Sequence, residues 1–247
     1  MSQKSVEILE KQKLPSGLYL AANGLGLLED IPSRSIELLR SADLLVFEED
    51  RPARKSLKAA GIHREYIKLT EHQEVDTIES VREALIQGKS VCYMSDQGMP
   101  NVADPGHVLL KDAYALGMRV KIIPGPSSIS VALAACPFKI EEYRYLGFLP
   151  RDSGKRLKAI KSFANHREET LVLLDTPYRR KALIADLCKG LSGSRCALLA
   201  LDISGPHEEY VFDSLDNLSK LDYGKLNFVL VITPASFQLE NYDFSPR

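Results

Sequence analysis

Short runs of β-branched and aliphatic residues alternate with segments of helical periodicity along almost the whole chain, and this alternation constrains the fold more than any other feature. Near-continuous apolar strands separated by amphipathic helices belong to a wound α/β sheet covered on both faces. The runs that read as strands are Leu18–Ala22, Leu44–Glu48, Ser90–Met94, Arg119–Ile123, Arg144–Leu149, Thr170–Leu174, Cys196–Leu201, Glu209–Phe212 and Phe228–Thr233. Helical periodicity predicts helices over Pro32–Ser41, Pro52–Ala60, Asp76–Gln87, His107–Leu116, Ser127–Ala135, Lys155–Ala164 and Tyr178–Leu191. Pro124-Gly-Pro-Ser-Ser128 ends the fourth strand abruptly and marks a domain junction. Beyond it the strands cluster, with only a short loop and helix between the last two. The expected organisation is an N-terminal extension (1–15), a mainly parallel α/β domain (16–124) and an α/β domain with a mixed sheet (125–247).

Composition narrows the partners. With 247 residues, 45% hydrophobic and 26% charged, the chain can bury a substantial core. A net charge of −1 and a pI of about 6.5 announce neither DNA nor an acidic membrane, so partners must be argued locally. Cys92, Cys136, Cys188 and Cys196 form no C-x-x-C pair, and three sit in apolar runs, as buried thiols of a reducing cytoplasm do. The opening MSQKSVEILEKQKL holds no apolar core of the kind a signal sequence needs, and the longest apolar stretch, Ile129 to Phe138, is far too short to span a membrane, so the expected location is cytoplasmic.

In open α/β sheets the ligand crevice lies past the carboxyl ends of the strands, so the loops that follow each strand carry the chemistry. Asn23-Gly-Leu-Gly26 invites a dinucleotide-binding reading, since acidic residues Glu48, Glu49 and Asp50 follow downstream. The motif is incomplete, because Glu29 stands where a third glycine is needed and the helix waits until Pro32. No G-x-x-x-x-G-K-S/T occurs, which excludes a P-loop.

The most loaded loop is SDQGMPNVADPG, Ser95 to Gly106. Asp104-Pro105-Gly106 before a periodic stretch reads as a helix start, with Asp104 as the capping side chain. Asp96 differs, because it ends a strand at the crevice and Gly98 lets backbone approach a ligand closely. A carboxylate there can accept hydrogen bonds from ribose hydroxyls or an ammonium, against the alternative of a simple Asx-turn. Asp96, Asp104 and His107 lack the spacing of a metal site, and no metal is expected.

Taken together, LYLAANGLGLLEDI, FEEDRPARKSLKAAGI, SDQGMPNVADPG and Pro124-Gly-Pro-Ser-Ser128 resemble the tetrapyrrole methylase superfamily of S-adenosylmethionine-dependent methyltransferases. Within it the chain is most similar to the branch of ribosomal small-subunit RNA 2′-O-ribose methyltransferases, from about Gly17 to Thr233. The resemblance implies two α/β domains, S-adenosylmethionine in the cleft between them, and a homodimer. By position, it implies cofactor contacts from Leu25, Ser95, Asp96, Met99, Ser127 and Ser128, with Asp175 and Ile203 closing the pocket from the other domain. Leu25, Met99 and Ile203 could equally be core, and Ser127 or Ser128 a helix cap. Several motifs depart from the branch: P-I-G-N is Asn23-Gly-Leu-Gly26, E-D-T-R is Glu49-Asp50-Arg51-Pro52, S-D-A-G-T-P is Ser95-Asp-Gln-Gly-Met-Pro100, and Y-E-S-P-H-R is Leu174-Asp-Thr-Pro-Tyr-Arg179. These changes bear on the acceptor more than on the cofactor.

Methyl transfer from a sulfonium is an in-line displacement, so positioning supplies most of the acceleration and a base is needed only for a hydroxyl acceptor. Glu49 and Asp50 are the candidate bases, with His72 behind them, unless they pair with Arg51, Arg54 and Lys55. Arg51, Arg54, Arg151, Lys155 and Arg179 are the candidate substrate contacts. Arg151 to Lys161 is strongly basic and Arg179-Arg-Lys181 adds to it, a pattern that can neutralise RNA phosphates or simply be solvated helix charge. Three functions follow: methylation of 16S ribosomal RNA on a ribose 2′-hydroxyl, methylation of a small tetrapyrrole-like acceptor, or cofactor binding without catalysis.

Overall fold

The computed structural model describes residues 14–70, 74–163 and 168–237, in two compact units that divide between Ser127 and Ser128. The division falls just past the Pro124-Gly-Pro turn because that turn belongs to the first unit. A Cβ built on Gly125 would lie 2.5 Å from Ala22 Cβ and 2.8 Å from Pro32 Cγ.

The first unit is a parallel five-stranded sheet of order β3-β2-β4-β1-β5. Its strands are β1 (Gly17–Ala21), β2 (Leu44–Phe47), β3 (Ile67–Lys68), β4 (Ser90–Met94) and β5 (Val120–Ile123). Every residue of β1 and β4 is buried, as expected where helices cover both faces of a parallel sheet. The period of two sends Tyr19 and Ala21 to one face, beside Phe47 of β2 and packed with α1 (Ser33–Ser41) and α2 (Asp50–Ala59) through Leu39 and Leu57. Leu18 and Leu20 face the other way, beside Tyr93 of β4 and onto α3 (Glu74–Ile86) and α4 (His107–Ala115) through Val81 and Leu109. β3 is absent from the sequence reading because a strand this short carries no periodicity.

The second unit holds a mixed sheet of order β6-β7-β10-β8-β9. Its strands are β6 (Tyr143–Gly147), β7 (Thr170–Asp175), β8 (Cys196–Leu201), β9 (Glu209–Ser214) and β10 (Phe228–Ile232). Only β6 and β7 run parallel; the remaining pairs are antiparallel. The larger core joins this sheet to α6 (Ser153–Phe163), α7 (Arg180–Gly190) and α8 (Leu215–Leu218). The opposite face carries α5 (Ser128–Ala134), through Ile129 and Ala132 against Val172, Leu198 and Val229. The helix expected from Tyr178 opens instead with a 3-10 turn, Pro177–Arg179. Among the described residues no helix is long and apolar enough to cross a membrane, and the four cysteines are unpaired.

Candidate functional site

Because β1, β2, β4 and β5 are parallel, their carboxyl ends lie along one edge of the first sheet, and the loops leaving them meet there. Asn23, nearly fully buried, ties three segments together. Its Nδ2 donates to the carbonyls of Ser95 and Asp96, both at 3.0 Å, and its Oδ1 accepts from Gly24 N–H at 2.9 Å and Ser56 Oγ at 3.3 Å. The backbone follows suit: Asn23 N–H donates to Gly98 O at 2.8 Å, and Gln97 Nε2 to Leu25 O at 2.7 Å. Gly98 has φ +67°, and a Cβ there would meet Leu25 Cδ2 at 3.0 Å and Pro126 O at 3.2 Å. A glycine is therefore required both by conformation and by the closeness of three loops. Met99 closes the arrangement, its sulfur 3.3 Å from Gly125 N–H.

Asp96 sits half-buried at this junction, with Oδ1 accepting from Glu49 N–H at 3.2 Å. Burial raises its pKa, the Glu49 N–H opposes that, and the Glu49 carboxylate adds to it. Glu48 is similarly raised by burial, although Tyr93 Oη donates to its Oε1 at 2.6 Å. The two candidate bases occupy different settings. Asp50 accepts from Tyr66 Oη at 2.8 Å and pairs with Lys68 Nζ at 3.1 Å, which holds its carboxyl below the usual range. Glu49 is exposed, its backbone N–H donating to Asp96 and its carbonyl accepting from Ala53 N–H at 3.2 Å.

Asp104 does not cap the following helix. The helix starts at His107, the capping position falls to Gly106, and no side chain bonds there. Ala103 takes a left-handed turn (φ 68°), and the Asp104 carboxyl is set within electrostatic reach of Glu48 and Asp96. One of its oxygens is buried without a hydrogen-bond partner. Burial first, then those two carboxylates, push its pKa up to about 7. The folded chain then holds a proton that the unfolded chain releases near pH 3.8, so stability falls as pH rises from that value to about 7. Thermal melts should show the wild type losing stability between about pH 4 and about pH 7, and Asp104→Asn should remove much of that loss. An unchanged pH slope in the variant would show that the carboxyl titrates normally.

Of the other residues singled out by sequence, Leu25 is buried, Ser95 is buried with Oγ donating to Gly98 O at 3.2 Å, and Met99 and Ser127 are half-buried. Ser128 is the first residue of α5. In the second unit, Asp175 ends β7 with a fully buried side chain. Its Oδ1 accepts from Thr176 N–H at 2.7 Å and lies 3.3 Å from Arg179, while Oδ2 is unpartnered. Ile203 follows β8 and packs against the smaller core of that unit. Arg151 and Lys155 are exposed. Arg179 is engaged otherwise than with solvent, since it donates to the carbonyls of Leu149 and Pro150 at 2.8 and 2.9 Å. Arg156 and Arg180, counted by sequence among the basic clusters, are buried. His72 lies outside the described residues. Asn23, Gln97 and Tyr93 were not expected as site residues; Asn23 carried a signal, a polar side chain at a strand end beside glycines.

The arrangement offers one accessible carboxylate, a glycine-lined main-chain approach and a flanking exposed acid. Among the described residues no group of His, Cys, Asp and Glu could hold a metal ion. Such a set suits a polar organic ligand with hydroxyl or amine donors.

Comparison with known proteins agrees. The family model described as tetrapyrrole (corrin/porphyrin) methylases matches residues 17–219. A ribosomal RNA small subunit methyltransferase I from Halalkalibacterium halodurans is 31% identical over 199 residues, covering 81% of this chain and 68% of that protein. A relative of the same name from Leptospira borgpetersenii is 30% identical over 240 residues, covering 95% of this chain and 94% of the other. Among solved structures, diphthine synthase shares the fold, with a TM-score of 0.71 at 20% identity over 90% of this chain and 91% of that one. On its sequence and its architecture, this chain belongs to the tetrapyrrole (corrin/porphyrin) methylase family.

Proposed function

We propose that this methyltransferase takes a methyl group from S-adenosylmethionine and places it on a ribose 2′-hydroxyl of 16S ribosomal RNA in the small subunit. The observation that carries the donor half is Asp96, a half-buried carboxylate at the meeting point of four strand ends with one oxygen still open to a ligand. Relatives named ribosomal RNA small subunit methyltransferase I, 30% and 31% identical over most of the chain, support the acceptor half.

Asp96 would accept hydrogen bonds from the ribose hydroxyls of the donor, while the loops fixed by Asn23 and Gly98 bring main-chain groups alongside. In this reading the loops that carry Leu25, Ser95, Met99 and Ser127 would surround the donor. S-adenosylmethionine supplies an activated methyl group on a cationic sulfur. The residues nearby need only orient the acceptor and receive one proton. Glu49 fits that last role better than Asp50, because the Asp50 carboxylate is already held by Tyr66 and Lys68. Asp50 then anchors the start of α2. The same reading places the chain in the cytoplasm, as a homodimer that meets the small ribosomal subunit.

The test offers methyl-labelled S-adenosylmethionine to the protein with small ribosomal subunits, and separately with a tetrapyrrole-containing metabolite extract. Label is expected in RNA. Label confined to small molecules would move the acceptor to the tetrapyrrole class, and label in neither fraction would leave a binding protein without catalysis.

A further inference from the structure

The exposed face of α2 is cationic in a way that helix design alone does not explain. Arg51, Arg54, Lys55 and Lys58 are all exposed, and among the described residues none forms an ion pair. They stand three or four positions apart, so like charges are neighbours on the helix surface, and each such pair destabilises the helix. No acid within the helix faces them except Asp50, whose oxygens are taken by Tyr66 and Lys68. Arg51 also lies in the first turn, where the helix dipole disfavours a cation. The whole chain carries a net charge of −1, so this is a local excess and not general basicity.

The cations border open space. Arg54 and Lys58 share a groove of about 790 Å³ with His63 and Arg64, floored by Leu57 and Tyr66. A second recess of about 370 Å³ lies among Asp50, Arg51, Arg54, Lys55 and Lys58. At about 1.5 Å per residue the four cations span roughly 10 Å of helix. A nucleic-acid strand presents about one charge per 3.4 Å, so the span matches about three phosphates. The helix also begins at the candidate site, since Glu49, the residue before it, donates its N–H to Asp96.

From this we infer that the α2 face and its groove are a phosphate track that holds the ribose–phosphate backbone of the RNA acceptor beside the methyl-transfer site. Charge complementarity selects a polyanion, and the groove's tyrosine, Tyr66, is only partly exposed and is held by Asp50 and Phe47, so the track positions RNA without reading its sequence. The inference rests on the RNA acceptor reading above.

The experiment compares the full chain with the variant Arg54→Gln/Lys55→Gln/Lys58→Gln, measuring affinity for small-subunit RNA at several salt concentrations and methyl transfer to the same RNA. Removing three phosphate contacts should lower the log–log salt slope by about 2 to 3. The advantage of the wild type should therefore shrink on the order of twentyfold between about 50 and about 200 mM salt. KM for RNA should rise while kcat at saturation changes little and donor affinity by calorimetry stays constant. Relief of like-charge repulsion should keep the variant folded, which a thermal melt checks. If the wild type methylates RNA and the variant matches it in slope and KM, the track is wrong while the RNA reading stands. If the wild type neither binds nor methylates RNA, both fall.

Discussion

Replacing Arg156 by Met is expected to destabilise the second unit by about 3–5 kcal/mol, because it strands a buried carboxylate. The Arg156 guanidinium lies 2.6 Å from Asp186 Oδ2, and the two side chains are only 6% and 7% exposed. Arg156 also donates to the carbonyls of Pro150 and Arg151 at 3.3 and 2.9 Å, so one side chain fixes α6 to α7 and holds the preceding loop. Without it, Asp186 keeps only Ser153 Oγ at 3.3 Å and the exposed Lys189 at 3.7 Å. A two-thirds exposed lysine cannot replace a dry pair. The loss should lower the melting temperature on the order of 10 °C. The double variant Arg156→Met/Asp186→Leu should recover most of it, since a matched apolar pair needs no counter-charge. A single variant that melts within about 1 °C of the wild type would contradict the account. Any effect of charge reversal at Arg156 on RNA binding would therefore reflect the weakened fold of this unit and not a lost RNA contact.

Replacing Asp96 by Ala should weaken binding of S-adenosylmethionine about ten- to a hundredfold, the range set by hydrogen bonds to a charged acceptor. Folding should suffer little. The variant loses one acceptor for Glu49 N–H at 3.2 Å, at a half-buried position where water can substitute. It also relieves repulsion, because the Asp96 carboxylate raises the pKa of Glu48 and, after burial and Glu48, that of Asp104. Calorimetry and thermal melts read the two effects separately. Intact affinity with a large drop in melting temperature would make Asp96 a structural residue.

Much of this was legible in the sequence, and the exceptions share a cause. β4 and β8 were predicted to the residue, because strands buried on both faces are continuous apolar runs with sharp ends. The loop positions of Asp96 and Gly98 followed from strand order alone. Asp104 was misjudged because Asp-Pro-Gly is a local signature, whereas the carboxyl's setting is decided by Glu48 and Asp96, distant or lateral in sequence. Asn23 was overlooked for the same reason, since all its side-chain partners but the adjacent Gly24 lie beyond residue 55. The basic clusters were over-counted, although the correction was available in the register. Arg156 is one helical turn before the buried Ile160, and Arg180 precedes Leu183, Ile184 and Leu187 at spacings of three, four and seven, so both arginines had to face the core. The cations of α2 have the opposite register, on the face away from Ala53 and Leu57.

The central claim is that the loops joined by Asn23 present a methyl donor to a ribose hydroxyl of RNA. Incubating the protein with methyl-labelled S-adenosylmethionine and unmethylated small-subunit RNA, then digesting the RNA to nucleosides, tests it directly. The account predicts label in a single 2′-O-methylnucleoside, and little label with Asp96→Ala at the same sub-saturating donor concentration. Label on a base, or equal labelling by the Asp96 variant, would contradict it.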